Sequence, residues 1–306
     1  MTVDRAVAFE ADIAASPAAL ARCLDAWRPI QLGGRSRFAF TGLGSSRYAA
    51  LIVASALRAG GTAAWAEYAS TSTPTAPAED LVLVAISASG RTPEVVAAAA
   101  AHRGTSLVVA VTNAPNSPLT DQADITIALE AGDEVSGLAC RTFRATLAAL
   151  ALLTDLADVA GLRPAVDDLA LRLGAASLWR ARFVDALDGA PSIDVLADAS
   201  MVGLAEQAAL MLREAPRLPA TAYDTSDWLH TGVYLALPGH RVVLYPGTRV
   251  DGEVVATVQR RGGEALMVDP PLPGTAGSLI GRAIADSVVA ELIAAALWDR
   301  ADAPER

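Results

Sequence analysis

Leu81-Val82-Leu83-Val84-Ala85-Ile86-Ser87-Ala88-Ser89-Gly90-Arg91-Thr92-Pro93-Glu94-Val95-Val96 decides the fold. Its opening apolar run has strand length and no polar alternation, the mark of a strand buried on both faces. The polar turn Ser87 to Thr92 follows. Proline suits the first turn of a helix, so a helix is predicted over Pro93 to His102. A buried strand that turns directly into a helix is one half of a βαβ unit and predicts a parallel sheet.

Working outward, the same pattern recurs. Before it, Asp4 to Trp27 reads as two helices broken at Ser16-Pro17, Phe38 to Thr41 as a strand, and Arg47 to Gly60 as a helix. After it come strands at Ser106 to Thr112 and Ile125 to Leu129, then one long helix from Ala139 to Leu162. Pro164 to Asp188 reads as a helical connector. The pattern restarts with strands at Ile193 to Leu196, Arg241 to Tyr245 and Ala265 to Val268. Helices are expected at Ser200 to Ala215, Val250 to Arg260 and Ser278 to Trp298. The fold class is therefore α/β, with two doubly wound parallel-sheet subdomains and flanking helices, at 1–165 and 166–306.

Composition narrows the function. The 306 residues carry a net charge of −10 and no basic stripe, which excludes nucleic acid as the expected partner. All 24 basic residues are arginine, so no lysine Schiff base can form in this chain. Cys23 and Cys140 have no ligand spacing to each other or to a histidine, so no metal is expected. Asp4, Glu10 and Asp12 interrupt any signal-peptide core, and Asp155 and Asp158 interrupt the longest apolar stretch, Ala145 to Leu162. That stretch reads as a buried helix, and a cytoplasmic protein away from membranes is expected.

Two strand-to-helix turns are rich in hydroxyls: Gly44-Ser45-Ser46 and Ser87-Ala88-Ser89-Gly90-Arg91-Thr92. Such turns gather at the C-terminal edge of a doubly wound sheet, where ligands bind. Two readings of the hydroxyls are open. They cap helices, or with the helix-start N–H groups they hold a phosphate. The first turn lacks the third glycine of a dinucleotide fingerprint, and no P-loop occurs.

The segments GLGSSRYAA (42–50), LVAISASGRTPEVV (83–96) and EVSGLACRTF (134–143) resemble the sugar isomerase (SIS) family, in particular the isomerase halves of glucosamine-6-phosphate synthases. The resemblance runs over nearly the whole chain and implies SIS-type, flavodoxin-like subdomains. It implies that Ser46, Ser87, Ser89 and Thr92 hold a sugar phosphate, with Ala88 in the same turn, and that Ser45 lies beside the sugar. The turn from Glu134 to Arg141 would close the pocket, although Ala139 and Cys140 stand where hydroxyls are usual. No cofactor is implied.

In the second half a helix ends at Glu214, and His230 follows sixteen residues later. The synthase-like pattern has a glutamate and a histidine at this spacing. The chemistry suits them. Moving a carbonyl between C1 and C2 needs one base that serves both carbons, and opening the sugar ring needs a proton shuttle near neutrality. His102 and His240 have no such context and read as surface residues.

There are departures from the family. Met211 replaces a usual lysine, Ala197-Asp198-Ala199-Ser200 stands where Gly-x-Gly is common, and a C-terminal ring-opening lysine is missing. Nothing resembles a glutaminase, so synthase activity is not expected. Three readings follow: aldose–ketose isomerisation of a hexose or hexosamine phosphate, with or without deamination; deglycase-type cleavage of a sugar–amine bond; and a non-catalytic sugar-phosphate sensor. Ala-rich helices with more apolar face than a small sheet covers predict a homodimer. The resemblance adds that its active sites are shared, His230 serving the opposite subunit.

Overall fold

Two fully parallel sheets organise the computed structural model, which describes residues 5–268 and 278–302. In chain order, α1 (Arg5–Ala14) and α2 (Ser16–Ala26) precede β1 (Arg37–Gly42), α3 (Ser45–Ala59), β2 (Ala64–Tyr68), β3 (Leu81–Ile86) and α4 (Pro93–His102). β4 (Leu107–Thr112), β5 (Ile125–Ala128), α5 (Arg141–Leu153), α6 (Val159–Gly174) and α7 (Ala176–Leu187) follow. The second sheet is built by β6 (Ile193–Ala197), α8 (Val202–Glu214), β7 (Ala220–Asp224), α9 (Thr225–Trp228), β8 (Arg241–Leu244), α10 (Asp251–Arg260) and β9 (Glu264–Met267), before α11 (Leu279–Asp302).

The strand orders are β2-β1-β3-β4-β5 and β7-β6-β8-β9. The first is the flavodoxin-like order, and the second repeats it one strand short. In each sheet the chain reverses direction of winding beside its first strand, so a crevice opens at the C-terminal ends of β1 and β3, and of β6 and β8. The chain forms two units. Residues 16–133 and 141–166 make one. Residues 5–15, 134–140 and the described residues from 167 onward make the other. Thus α1 packs with the second sheet's unit, against α11.

In the first unit, β3 is buried along its whole length. Leu83 and Ala85 pack with Ala39, Ala110 and with Val95 and Ala99 of α4. α5 is buried at every residue and packs against α2 and α3. Its alanines let the helices approach closely, which is why so few aromatic residues suffice. In the second unit, Trp228 is fully buried among Leu196, Leu244, Val254 and Val258.

The single helix expected over 139–162 is two helices, and the break has a local cause. The Thr154 hydroxyl bonds back to the Leu150 carbonyl at 2.7 Å, Asp155 takes a positive φ of 54°, and Asp158 accepts the Gly161 N–H at 2.6 Å. The last bond starts α6, as a side-chain acceptor at a helix start does.

His102 and His240, expected at the surface, are each only 2% exposed. The Thr75 carbonyl can only accept, so His102 Nε2 carries the proton and donates to it (3.0 Å). Nδ1 then accepts from the Ser106 hydroxyl at 3.0 Å. Burial pushes the His102 pKa below the ordinary 6.5, against the pull of the Thr75 carbonyl and Glu67. His240 bonds Asp194 at 2.9 Å and Ser192 at 2.6 Å, and the same Asp194 oxygen accepts Trp228 Nε1–H at 2.7 Å. These histidines tie loops to the starts of strands. No helix among the described residues is long and apolar enough to cross a membrane.

Candidate functional site

The hydroxyl-rich turns follow β1 and β3, the two strands that flank the switch point of the first sheet. The turn after β3 is held rigidly. Gly90 N–H donates to the Ser87 carbonyl at 3.0 Å, and the Ala88 carbonyl accepts both Asn113 N–H (3.0 Å) and the Thr112 hydroxyl (3.1 Å). Gly90 has φ +62°, and a Cβ there would lie 2.0 Å from Ser117 Oγ. Only glycine fits.

The capping reading of the hydroxyls can be tested directly. Thr92 occupies the position before α4, yet its side chain makes no capping bond. Its Oγ1 lies 2.9 Å from the Oγ of buried Ser87 instead. The residue before α3 is Gly44, which has no side chain to offer, so Ser45 and Ser46 are the first helical residues. The exposed Ser89 accepts Arg91 N–H at 3.2 Å, a bond inside the turn. Neither turn contains a carboxylate. Glu94, in the first turn of α4, is exposed, so the hydroxyls and two helix starts converge in turns that hold no carboxylate of their own, an arrangement suited to an external oxyanion. Gly42 brings the turns together: a Cβ there would lie 3.1 Å from Ser46 Cβ and 3.3 Å from the Ile86 carbonyl.

The second sheet is arranged differently at each corresponding turn. Asp198 accepts Ser200 N–H (2.9 Å) and hydroxyl (2.5 Å) after β6. Asp224 accepts Asp227 N–H at 2.8 Å after β7. Asp251 accepts Gly247 N–H at 2.8 Å and Thr248 N–H at 3.1 Å after β8. A fixed carboxylate already occupies each turn and repels a phosphate.

Glu214 and His230 belong to this second unit. Glu214 is the last residue of α8, beyond which Arg217 has a positive φ of 59°. The residue is exposed overall, but partial burial of its carboxyl raises its pKa above the ordinary 4.5, against the lowering pull of Arg213. The negative end of the α8 dipole acts in the same direction as burial. A carboxylate so tuned is a better base near neutral pH. His230 is exposed on a fixed turn. Its N–H donates to the Asp227 carbonyl at 2.9 Å, and Gly232 packs so closely on Trp228 that a Cβ would meet Cδ1 at 2.4 Å.

The loop 134–140 is held within the second sheet's unit. Ser136 bonds Asp12 through its N–H (2.8 Å) and hydroxyl (2.7 Å), Gln207 donates to the Ala139 carbonyl at 2.9 Å, and Glu134 accepts Cys140 N–H at 2.7 Å. The support that Thr112, Asn113 and Ser117 give the Ser87–Thr92 turn was not read from the sequence. Its signal is the polar stretch Thr112-Asn113 directly after a buried strand. Among the described residues no cluster of histidine, cysteine and carboxylates could hold a metal ion.

Residues 32–156 match the family model described as the SIS domain. The isomerizing glutamine–fructose-6-phosphate aminotransferase of Aeropyrum pernix is 30% identical over 209 residues, 62% of this chain and 34% of that protein. The chain thus spans about a third of that relative's length. Two solved structures share the fold over almost all of both chains. One is glucosamine-6-phosphate deaminase from Thermotoga maritima, with TM-score 0.76 and 17% identity over 96% of this chain and 95% of that one. The other is tagatose-6-phosphate ketose/aldose isomerase from Escherichia coli, with TM-score 0.76 and 19% identity over 96% and 93%.

Proposed function

The chain carries a SIS domain over residues 32–156, and on that premise we propose that it is a phosphosugar isomerase-type enzyme acting on a hexose or hexosamine phosphate. The observation that carries this reading is the pair of carboxylate-free hydroxyl turns at the switch point of the first sheet. Ser46, Ser87, Ser89 and Thr92 donate to the phosphate oxygens, the backbone of Ala88 shapes their turn, and Ser45 meets the sugar. Glu214 removes a proton from one carbon and returns it to the next, giving aldose–ketose isomerisation through an enediol. His230 shuttles the proton that opens the ring. The enzyme is a cytoplasmic homodimer.

Deamination of an amino sugar phosphate is the second reading. The fold shared with a glucosamine-6-phosphate deaminase supports it, and the same pair of residues serves an enolamine intermediate. A panel of hexose and hexosamine phosphates, assayed for isomerised product and for released ammonia, separates the two. Binding without turnover would favour the non-catalytic sensor, with deglycase-type cleavage of a sugar–amine bond still open. The phosphate site is tested by Ser87→Ala combined with Ser89→Ala. It removes two charge-assisted bonds of about 1.5–3 kcal/mol each, and affinity should drop at least about tenfold with the fold intact. Unchanged calorimetric binding would remove these serines from the site.

A further inference from the structure

We propose that Arg47 is a specificity residue: its guanidinium holds a second anionic group of the substrate, a carboxylate or a second phosphate, at the end of the sugar remote from the phosphate cradle. The inference rests on the phosphosugar reading and deepens it.

Arg47 is the third residue of α3, so it rises from the same helix start that offers Ser45 and Ser46. Its guanidinium carbon lies 3.7 Å from the centre of the Tyr68 ring. Tyr68 ends β2 and pairs with Gly42 at the end of β1, while the Ser87–Thr92 turn follows β3, on the opposite side of β1. Two strand spacings, about 10 Å, therefore separate the platform of the arginine from the hydroxyl turn. A sugar phosphate lying across the end of β1 carries its far end towards the arginine.

Three observations point to an anion there. Stacking fixes the flat guanidinium on the ring face and leaves its in-plane N–H donors unused. The Arg47 side chain makes no hydrogen bond or ion pair among the described residues, and its Nε is buried without a partner. The other half-buried arginines of this acidic chain are held: Arg172 and Arg282 by Asp286, Arg180 by Glu10, Arg241 by Glu264, and Arg35 by the Glu79 and Leu32 carbonyls. A pinned and unpaired guanidinium beside an oxyanion cradle presents a fork that fits a carboxylate or a phosphate.

The test uses two matched ligand pairs on the intact chain: glucose 6-phosphate against 6-phosphogluconate, and fructose 6-phosphate against fructose 1,6-bisphosphate, at fixed ionic strength. In at least one pair the wild type should bind the doubly anionic member at least about tenfold more tightly. In Arg47→Met that ratio should fall to about one, and Arg47→Lys should lie between, because an ammonium keeps the charge but not the fork. The pair that responds identifies the second group as carboxylate or phosphate. A ratio near one in wild type, or a ratio that survives in Arg47→Met, overturns the proposal. So does a weakened dimer in Arg47→Met with an unchanged ratio, which would assign Arg47 to a subunit contact. If the Ser87→Ala, Ser89→Ala variant binds all four ligands as wild type does, the phosphate reading fails and takes this inference with it. A ratio that collapses only in Arg47→Met, while the serine variant weakens every ligand, supports both.

Discussion

Replacing Gly90 by alanine tests whether the Ser87–Thr92 turn is as tightly determined as its geometry implies. The new Cβ would lie 2.0 Å from Ser117 Oγ, 2.5 Å from Ser117 Cβ and 3.2 Å from Thr112 Oγ1. A rotamer change moves the Ser117 oxygen but not its Cβ. The Ser117 backbone cannot yield easily: its carbonyl accepts from Thr120 N–H and hydroxyl, and its N–H donates to Thr120 Oγ1. Overpacking of this kind costs about 1–3 kcal/mol. A left-handed conformation adds about 1–2 kcal/mol for a residue with a Cβ. Taking about 3 kcal/mol, the melting temperature should fall by roughly 6–12 °C. Sugar-phosphate affinity should fall with it, because Ser89 and Thr92 flank the displaced residue. Adding Ser117→Gly removes the close atoms but not the strained φ, so it should restore the overpacking part alone. Scanning calorimetry and isothermal titration on both variants read this out. A Gly90→Ala protein that melts within a degree of wild type and binds as well would refute the reasoning.

Three other outcomes are expected. Glu214→Gln should lower turnover by roughly 10²–10⁴-fold with little change in binding; in wild type the acidic limb of kcat/KM should lie above 4.5, since burial raises the Glu214 pKa and activity is lost as the carboxylate protonates. More than about a tenth of wild-type turnover in Glu214→Gln would exclude it as the base. His102 has a folded pKa below 6.5, so its stabilising contribution is complete above the unfolded value and is lost as pH falls from there through the folded value; the melting temperature of His102→Gln should therefore depend less on pH between 7 and 5 than that of wild type, and parallel curves would contradict this. Finally, Glu214→Gln and His230→Ala subunits refolded together should recover roughly a quarter of the wild-type rate if sites are shared across a two-fold axis, whereas no recovery from proven mixed dimers would place His230 with its own subunit.

The parts of the fold legible in the sequence are those whose signal is local. β3 announces itself because a central parallel strand is apolar on both faces, and the turn after it because a cluster of serine, glycine and threonine breaks the apolar run just before a proline. β2 and β7 were missed for the complementary reason. Each is an edge strand, only its first residue is buried, and Ala64-Trp65-Ala66-Glu67-Tyr68 offers no continuous apolar run. The break between α5 and α6 is invisible because residues 154–158 contain no glycine and Asp155 itself adopts the positive φ. The burial of His102 and His240 depends on Thr75 and Asp194, residues 27 and 46 positions away, which periodicity cannot pair. Residue types single out the hydroxyls of the Ser87–Thr92 turn, and the family resemblance singles out Glu214. The bond that turns Thr92 away from its helix and the stacking of Arg47 on Tyr68 exist only in three dimensions.

The contrast between the two sheet edges bears on how the protein senses its surroundings. One unit closes its βα turns with Asp198, Asp224 and Asp251, and so carries its own counter-charge wherever it goes. If the other binds a sugar phosphate as proposed, its resistance to opening rises with the logarithm of ligand concentration, by about 2.7 kcal/mol at a hundredfold excess over Kd. Amide exchange in α3 and α4 should slow as sugar phosphate accumulates, while exchange in α8 and α10 responds far less. On that reading one half of the molecule is a fixed frame, and the other a gauge of its metabolite supply.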